Sequence, residues 1–149
     1  SQAHFMIHRT LASLGSQVVD AAISQLGVPY AWADIDPAGG GSAGFDCSGI
    51  IVWCYSQVGV TLPHMAEAIR TDPIVTLFQD KTKVQPGDMV FYHTGSQGKP
   101  SYQADHIALM VDHDNTIVAP GTGGFVEHQP TLTSYVLSYG YVERVTGAH

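Results

Sequence analysis

Two side chains in this 149-residue sequence have the chemistry to make and break an acyl bond, Cys47 and His106. Cys47 follows Asp46 and leads into Ser48-Gly49-Ile50-Ile51-Val52-Trp53-Cys54-Tyr55. Asp46 is a good helix N-cap, and Cys47, Ile50, Ile51, Cys54 and Val58 recur with the spacing of one helix face. That puts Cys47 in the first helical turn. Free backbone N–H groups and the helix dipole favour a thiolate there, and the same N–H groups can receive an oxyanion. The plain alternative is a small buried hydrophobe. His106 opens the apolar run Ile107-Ala108-Leu109-Met110-Val111. A histidine at the rim of such a strand can act as general base near neutral pH, or be a satisfied structural residue. Cys54 falls two turns after Cys47, away from the positive end of the dipole, and reads as core.

The remaining candidates are weaker. The other histidines compete with His106: His64 follows Leu62-Pro63, His93 ends a strand, His113 lies in a tight turn and His128 ends a later strand. His4 and His8 have a four-residue spacing, but no third ligand accompanies them, so no metal site and no cofactor are expected. Cys47 and Cys54 cannot pair: on one helix their Cα atoms lie about 10 Å apart at roughly 1.5 Å per residue, beyond the roughly 7 Å limit of a disulfide.

Elements must bring these residues together. Residues 16–26 predict a helix capped by Ser16 and stopped by Gly27, in which Val18, Val19, Ala22, Ile23 and Leu26 recur at helical spacing. Residues 34–45 read as a Gly-rich surface loop, residues 46–58 as the second helix, and residues 63–70 as a third helical piece. Then the pattern changes. Residues 89–92 follow a Gln-Pro-Gly-Asp turn as a strand, 95–103 is a polar loop, 106–119 is a hairpin, and 125–128 and 139–145 are further strands. Helices followed by strands imply an α+β domain with a mostly antiparallel sheet. We expect an N-terminal arm over 1–15 and a single domain over 16–149.

Composition narrows the partners. Hydrophobic residues make up 44% and charged residues 13%, which suits a packed globule. The formal charge is −7 with no Lys/Arg cluster, which disfavours nucleic acid and anionic membranes. No apolar stretch is long enough to span a bilayer. The start lacks both Met and a signal-peptide pattern, so the chain reads as a mature or excised domain.

Four segments resemble the NlpC/P60 family of peptidoglycan endopeptidases, a minimal papain-like fold. They are Gln25-Leu26-Gly27-Val28-Pro29-Tyr30-Ala31-Trp32, then Phe45-Asp46-Cys47-Ser48-Gly49, then Leu62-Pro63-His64 with Val84-Gln85-Pro86-Gly87-Asp88-Met89-Val90-Phe91-Tyr92, and Asp105-His106-Ile107-Ala108-Leu109-Met110-Val111. The resemblance implies that Cys47 is the nucleophile and His106 its base. It implies that the Cys47 N–H helps form the oxyanion hole, that Tyr30 lies beside the nucleophile, and that Ser48 supports the substrate loop. It also implies a substrate, the stem peptides of peptidoglycan, commonly cut between D-glutamate and a diamino acid. The enzyme would then work as a monomer at the cell wall or outside the cell, or in a phage or conjugation apparatus.

The sequence departs from the family at one chemically important position. Family members orient the histidine with a polar residue on the next strand, and in this register that residue is Val118. Glu127 and His128 are the main candidates to replace it, with Asp105, a backbone carbonyl or a water as others. Ala33-Asp34 stands where the family often has Gly-Gly, and the loop 95–103 is longer than usual and should border the cleft. Two other readings share the fold: an amidase, deamidase or acyltransferase, or a wall-peptide-binding domain with weak or no catalysis.

Overall fold

The computed structural model describes residues 14–31 and 45–146. Residues 1–13, with His4 and His8 and most of the arm expected over 1–15, and residues 32–44, with most of the loop expected over 34–45, lie outside the described residues. Helix α1 covers residues 14–23, and Val18 and Ala22 are buried on its inner face. Ser16 therefore sits inside the helix and does not cap it. The chain then turns through 24–27, and Gly27 takes the positive φ of 87° that lets it stop there. Gly15 has a packing role: a Cβ there would lie 2.5 Å from the Pro86 carbonyl oxygen, so α1 can rest directly on the turn before the central strand.

Helix α2, Cys47–Ser56, begins where the sequence predicts. Asp46 is extended, and its carboxylate accepts from the Gly49 N–H at 2.6 Å. Ile50, Ile51, Cys54 and Tyr55 are buried, and Tyr55 donates its hydroxyl proton to the Gly87 carbonyl. α2 is thereby pinned to the turn that starts the central strand. Helix α3, Ala66–Arg70, is shorter than the predicted piece.

Among the described residues, six strands form one sheet in the order β1-β6-β2-β3-β4-β5, with every neighbouring pair antiparallel. They are β1 Thr76–Phe78, β2 Met89–Tyr92, β3 His106–Met110, β4 Asn115–Val118, β5 Glu127–Pro130 and β6 Val136–Tyr141. The sequence reading missed β1, a three-residue edge strand too short to show alternation. It placed β5 two residues early. It also ran the last strand to Val145, where the chain instead forms helix α4, Glu143–Thr146.

Both sheet faces are buried. Phe91, Ile107, Leu109 and Ile117 meet the helices, while Tyr92, Ala108, Met110 and Val118 form a second cluster on the other face. β2 is buried at all four positions, which is why Met-Val-Phe-Tyr reads as a continuous apolar run. Fully burying each such large apolar side chain stabilises the fold by roughly 1.5–3 kcal/mol. The second face is covered partly by the chain itself. After β5 the backbone crosses it, where the Leu132 N–H donates to the Tyr92 hydroxyl at 3.2 Å. The architecture is the α+β arrangement of helices on an antiparallel sheet that the sequence implies.

Candidate active site

The N-terminus of α2 meets the start of β3 at a cavity of about 750 Å³, within the usual range for a ligand site. Cys47 and His106 both line it, with Tyr30, Asp46 and Ser48 beside Cys47. Tyr30 is held there by main-chain bonds. Its N–H donates to the Gly124 carbonyl at 2.9 Å, and it bridges Phe45 in parallel fashion. His64, Thr94, Gln97, Lys99, Gln129 and Leu132 complete much of the remaining wall.

The two elements approach each other at the sulfur, where the main-chain N–H groups of Ile107, next to His106, of Ser48 and of Cys47 itself favour the charged form of the thiol. Three donors lower the thiol pKa, but burial and then the Asp46 carboxylate raise it more, and the result is pushed up to about 11. Burial and the Asp46 carboxylate thus oppose the thiolate stabilisation expected at a helix N-terminus. The helix N-terminus is present, but the sulfur is desolvated and its capping residue is an anion. Burial also holds the His106 pKa below its usual value, with Asp105 opposing. At neutral pH the pair is a thiol beside an uncharged imidazole, so proton transfer has to accompany attack.

Around this pair the charges are tightly held. Asp46 also accepts from His64 Nε2 at 2.7 Å, and the Ser48 hydroxyl lies 3.4 Å away. Burial first, and then Cys47 and Asp46, raise the Tyr30 hydroxyl pKa, so it stays protonated and can donate a hydrogen bond. Asp105 is buried and faces the loop at 94–95: it accepts from the Thr94 N–H, the Thr94 hydroxyl and the Gly95 N–H at 2.9–3.1 Å. Its carboxylate anchors the cleft loop. Glu67 anchors the other end of that loop, accepting from Ala104 N–H at 2.9 Å while paired to Arg70 at 2.6 and 2.7 Å.

The His106 ring stacks on Tyr92, with centroids 5.6 Å apart and planes 20° from parallel. Val118 is buried on the same sheet face. Glu127 and His128 are both exposed and do not line the cavity. His128 pairs with Ile117 and so belongs to the opposite face from His106. Cys54 is buried in the core, its thiol pushed up to about 12 by desolvation. No group of metal-ligating side chains is found among the described residues.

Residues 27–145 match the NlpC/P60 family. The chain belongs to that family. It is 36% identical over 103 residues to the probable endopeptidase Rv2190c of Mycobacterium tuberculosis, covering 69% of this chain and 24% of that one. It is 30% identical over 134 residues to the peptidoglycan endopeptidase RipA of Mycolicibacterium smegmatis, covering 82% and 24% respectively. It is 33% identical over 123 residues to the gamma-D-glutamyl-L-lysine dipeptidyl-peptidase of Bacillus cereus, covering 83% and 32%. The chain thus spans about a quarter of the length of the first two relatives. Among solved structures, NlpC2 from Trichomonas vaginalis superposes with a TM-score of 0.70 at 26% identity, covering 85% of this chain and 46% of that one. RipB from M. tuberculosis superposes at 0.71 with 23% identity, covering 89% and 65%, and supports the fold.

The sequence reading did not single out Lys99 or Gln129. The loop at 95–103 was expected to border the cleft, but nothing in its composition marked Lys99 as the residue that faces inward. Gln129 sits on a strand whose register was read two residues early.

Proposed function

We propose that this domain is a cysteine endopeptidase that hydrolyses the peptide stems of bacterial peptidoglycan, with Cys47 as nucleophile and His106 as general base. The observation that carries the reading is the shared cavity, which Cys47 at the start of α2 and His106 at the start of β3 both line. The relatives named as endopeptidases and peptidases support the same class of reaction.

In this reading the neutral imidazole of His106 takes the Cys47 thiol proton as sulfur attacks the scissile carbonyl carbon. The C–S bond forms, and the carbonyl oxygen becomes an oxyanion facing the Cys47 N–H. The protonated His106 then passes its proton to the departing amine as the C–N bond breaks. Water, deprotonated by His106, then attacks the thioester carbon; the C–S bond breaks, the carboxylate leaves, and His106 returns the proton to the Cys47 sulfur. Tyr30 and Ser48 flank the site where the acyl side of the substrate would lie. The bond that best fits the family is the one between D-glutamate and the diamino acid, and the substrate places the reaction at the cell wall.

Digestion of purified peptidoglycan and of a defined tetrapeptide stem tests this reading. Wild type should release new amino termini and Cys47→Ala none. Wild type that binds wall material without releasing termini would replace it with a binding domain.

A further inference from the structure

We infer that Tyr92, on β2, is the positioning residue of His106. Its ring holds the imidazole by stacking and stabilises the imidazolium that forms when His106 takes the Cys47 proton. This rests on the reading of Cys47 and His106 as nucleophile and base.

A general base has to be aimed, and it has to bear charge while it holds the proton. Among the described residues, no hydrogen bond reaches either ring nitrogen of His106, and Val118 supplies only hydrocarbon to this face. The ring contact that the structure does show is aromatic. Tyr92 and His106 stack with centroids 5.6 Å apart and planes 20° from parallel. A cation within about 6 Å of an aromatic centroid is attracted by the ring quadrupole, most strongly where water is excluded. A neutral imidazole gains less from the same ring. The contact therefore strengthens as the proton arrives, which is the kind of interaction that raises kcat.

The surroundings of Tyr92 fix it in that place. The β2–β3 register sets Tyr92 directly opposite His106, so the two side chains meet on one sheet face. The pairing of β2 with β6 slips at the same point: Phe91 faces Ser138, but Tyr92 faces Val136. Such an irregularity re-aims a side chain at a strand end. Tyr92 is fully buried, and its hydroxyl accepts from the Leu132 N–H at 3.2 Å. Burial raises the hydroxyl pKa, so the ring stays a neutral phenol. The main chain before His106 is tied down as well. The Asp105 N–H donates to the Tyr92 carbonyl at 2.9 Å, and the Asp105 carbonyl accepts from the Gln97 amide at 3.0 Å. The other titratable groups around the base are Asp105, whose carboxylate is taken up by Thr94 and Gly95, and Cys47, Asp46, His64 and Lys99 on the cavity wall. All of them are kept in the variants below.

The test compares wild type, Tyr92→Phe, Tyr92→Leu and a protein with pentafluorophenylalanine in place of Tyr92. The fluorinated ring keeps the shape of phenylalanine and reverses its quadrupole. The readouts are kcat and KM on the stem peptide, the acid limb of the pH profile, 15N titration of the His106 ring, and the melting temperature. Tyr92→Phe keeps the stack and should hold kcat within about threefold. Against that reference the fluorinated ring should lower kcat about 10- to 30-fold with KM within about twofold. It should also move the acid limb and the His106 titration to lower pH. Tyr92→Leu should change the same readouts in the same direction. An unchanged kcat and acid limb with the fluorinated ring overturns the assignment. So does a fall in kcat that tracks a lower melting temperature while the His106 titration stays put. Should wild type cleave no stem peptide, the peptidase reading fails separately, and the 15N titrations still decide whether Tyr92 supports the charged ring.

Discussion

Asp46 accepts a hydrogen bond from His64 at 2.7 Å with the same oxygen that caps α2 at the Gly49 N–H. One carboxylate thus serves the helix that presents Cys47, links to a second histidine of the cleft, and puts a negative charge next to the nucleophile. These roles can be separated by substitution. Asp46→Asn keeps a good cap and removes the charge, so the Cys47 thiol should become more acidic and react faster with iodoacetamide at pH 8–9. Asp46→Ala should show the same gain in acidity but lose about 1 kcal/mol of stability with the cap. Equal alkylation rates for wild type and Asp46→Asn would remove Asp46 from the account of Cys47.

The pKa directions at Cys47 and His106 fix the form of the pH profile. His106 is held low by burial, so activity should persist below pH 6.5 and fall only as the imidazole protonates at a lower value. Cys47 is held high, at about 11, so no thiolate ionisation should appear near neutrality. The same shifts bear on stability. The unfolded chain takes up a proton at His106 near its ordinary value, before the folded chain does. The contribution of neutral His106 is therefore complete above about pH 6.5 and is lost as pH falls through the folded value. A pH–rate profile together with thermal melts from pH 4 to 8 checks both. An alkylation pKa for Cys47 below 7 would instead mean a preformed thiolate–imidazolium pair.

Asp105 and the loop at 94–95 make a different kind of prediction. Burial pushes the Asp105 carboxyl up, but the Thr94 and Gly95 N–H groups, the Thr94 hydroxyl and His93 together hold it below its ordinary value. Its contribution is present above about pH 3.8 and is lost as pH falls through the folded value. Asp105→Ala leaves these donors without their acceptor and should cost about 2–3 kcal/mol, measurable by urea unfolding. It also removes the one charge that supports protonation of His106, so the acid limb of activity should move to lower pH. If the limb stays in place, Asp105 acts on the loop alone.

Much of this site can be read from the chain because local chemistry sets it. The Asp46 cap fixes the start of α2 and so the place of Cys47. The uninterrupted run after His106 fixes a strand buried on both faces. Other features depend on tertiary context. A thiol at a helix N-terminus reads as acidic until the sulfur is seen to be desolvated beside the anion that caps its helix. Ser16 resembles a cap, but α1 already runs through it. Glu127 and His128 were plausible partners for His106 while β5 could be placed only by composition. The register with β4 turns His128 to the opposite face, leaves Glu127 exposed, and brings Gln129 to the cavity wall. Such assignments rest on strand pairing between distant residues, which no local pattern specifies.

Lys99 gives the last prediction, on substrate charge. Among the described residues it is the one Lys or Arg that lines the cavity, on a loop secured at Asp105 and at Tyr102, whose carbonyl accepts from Arg70 at 3.1 Å. The Glu67 carboxylate behind it is already paired bidentately with Arg70, which leaves the ammonium available to a ligand. Stem peptides carry free carboxylates at D-glutamate and at the diamino acid, and some walls amidate them. If Lys99 reads such a carboxylate, Lys99→Met should raise KM roughly fivefold for the free acid, the size expected for a partly exposed ion pair worth about 1 kcal/mol. It should leave kcat and the KM for the amidated peptide nearly unchanged. Steady-state kinetics on the matched pair of peptides makes the comparison. A loss on both would assign Lys99 to the shape of the loop, and no loss on either would leave the cleft without a charge filter.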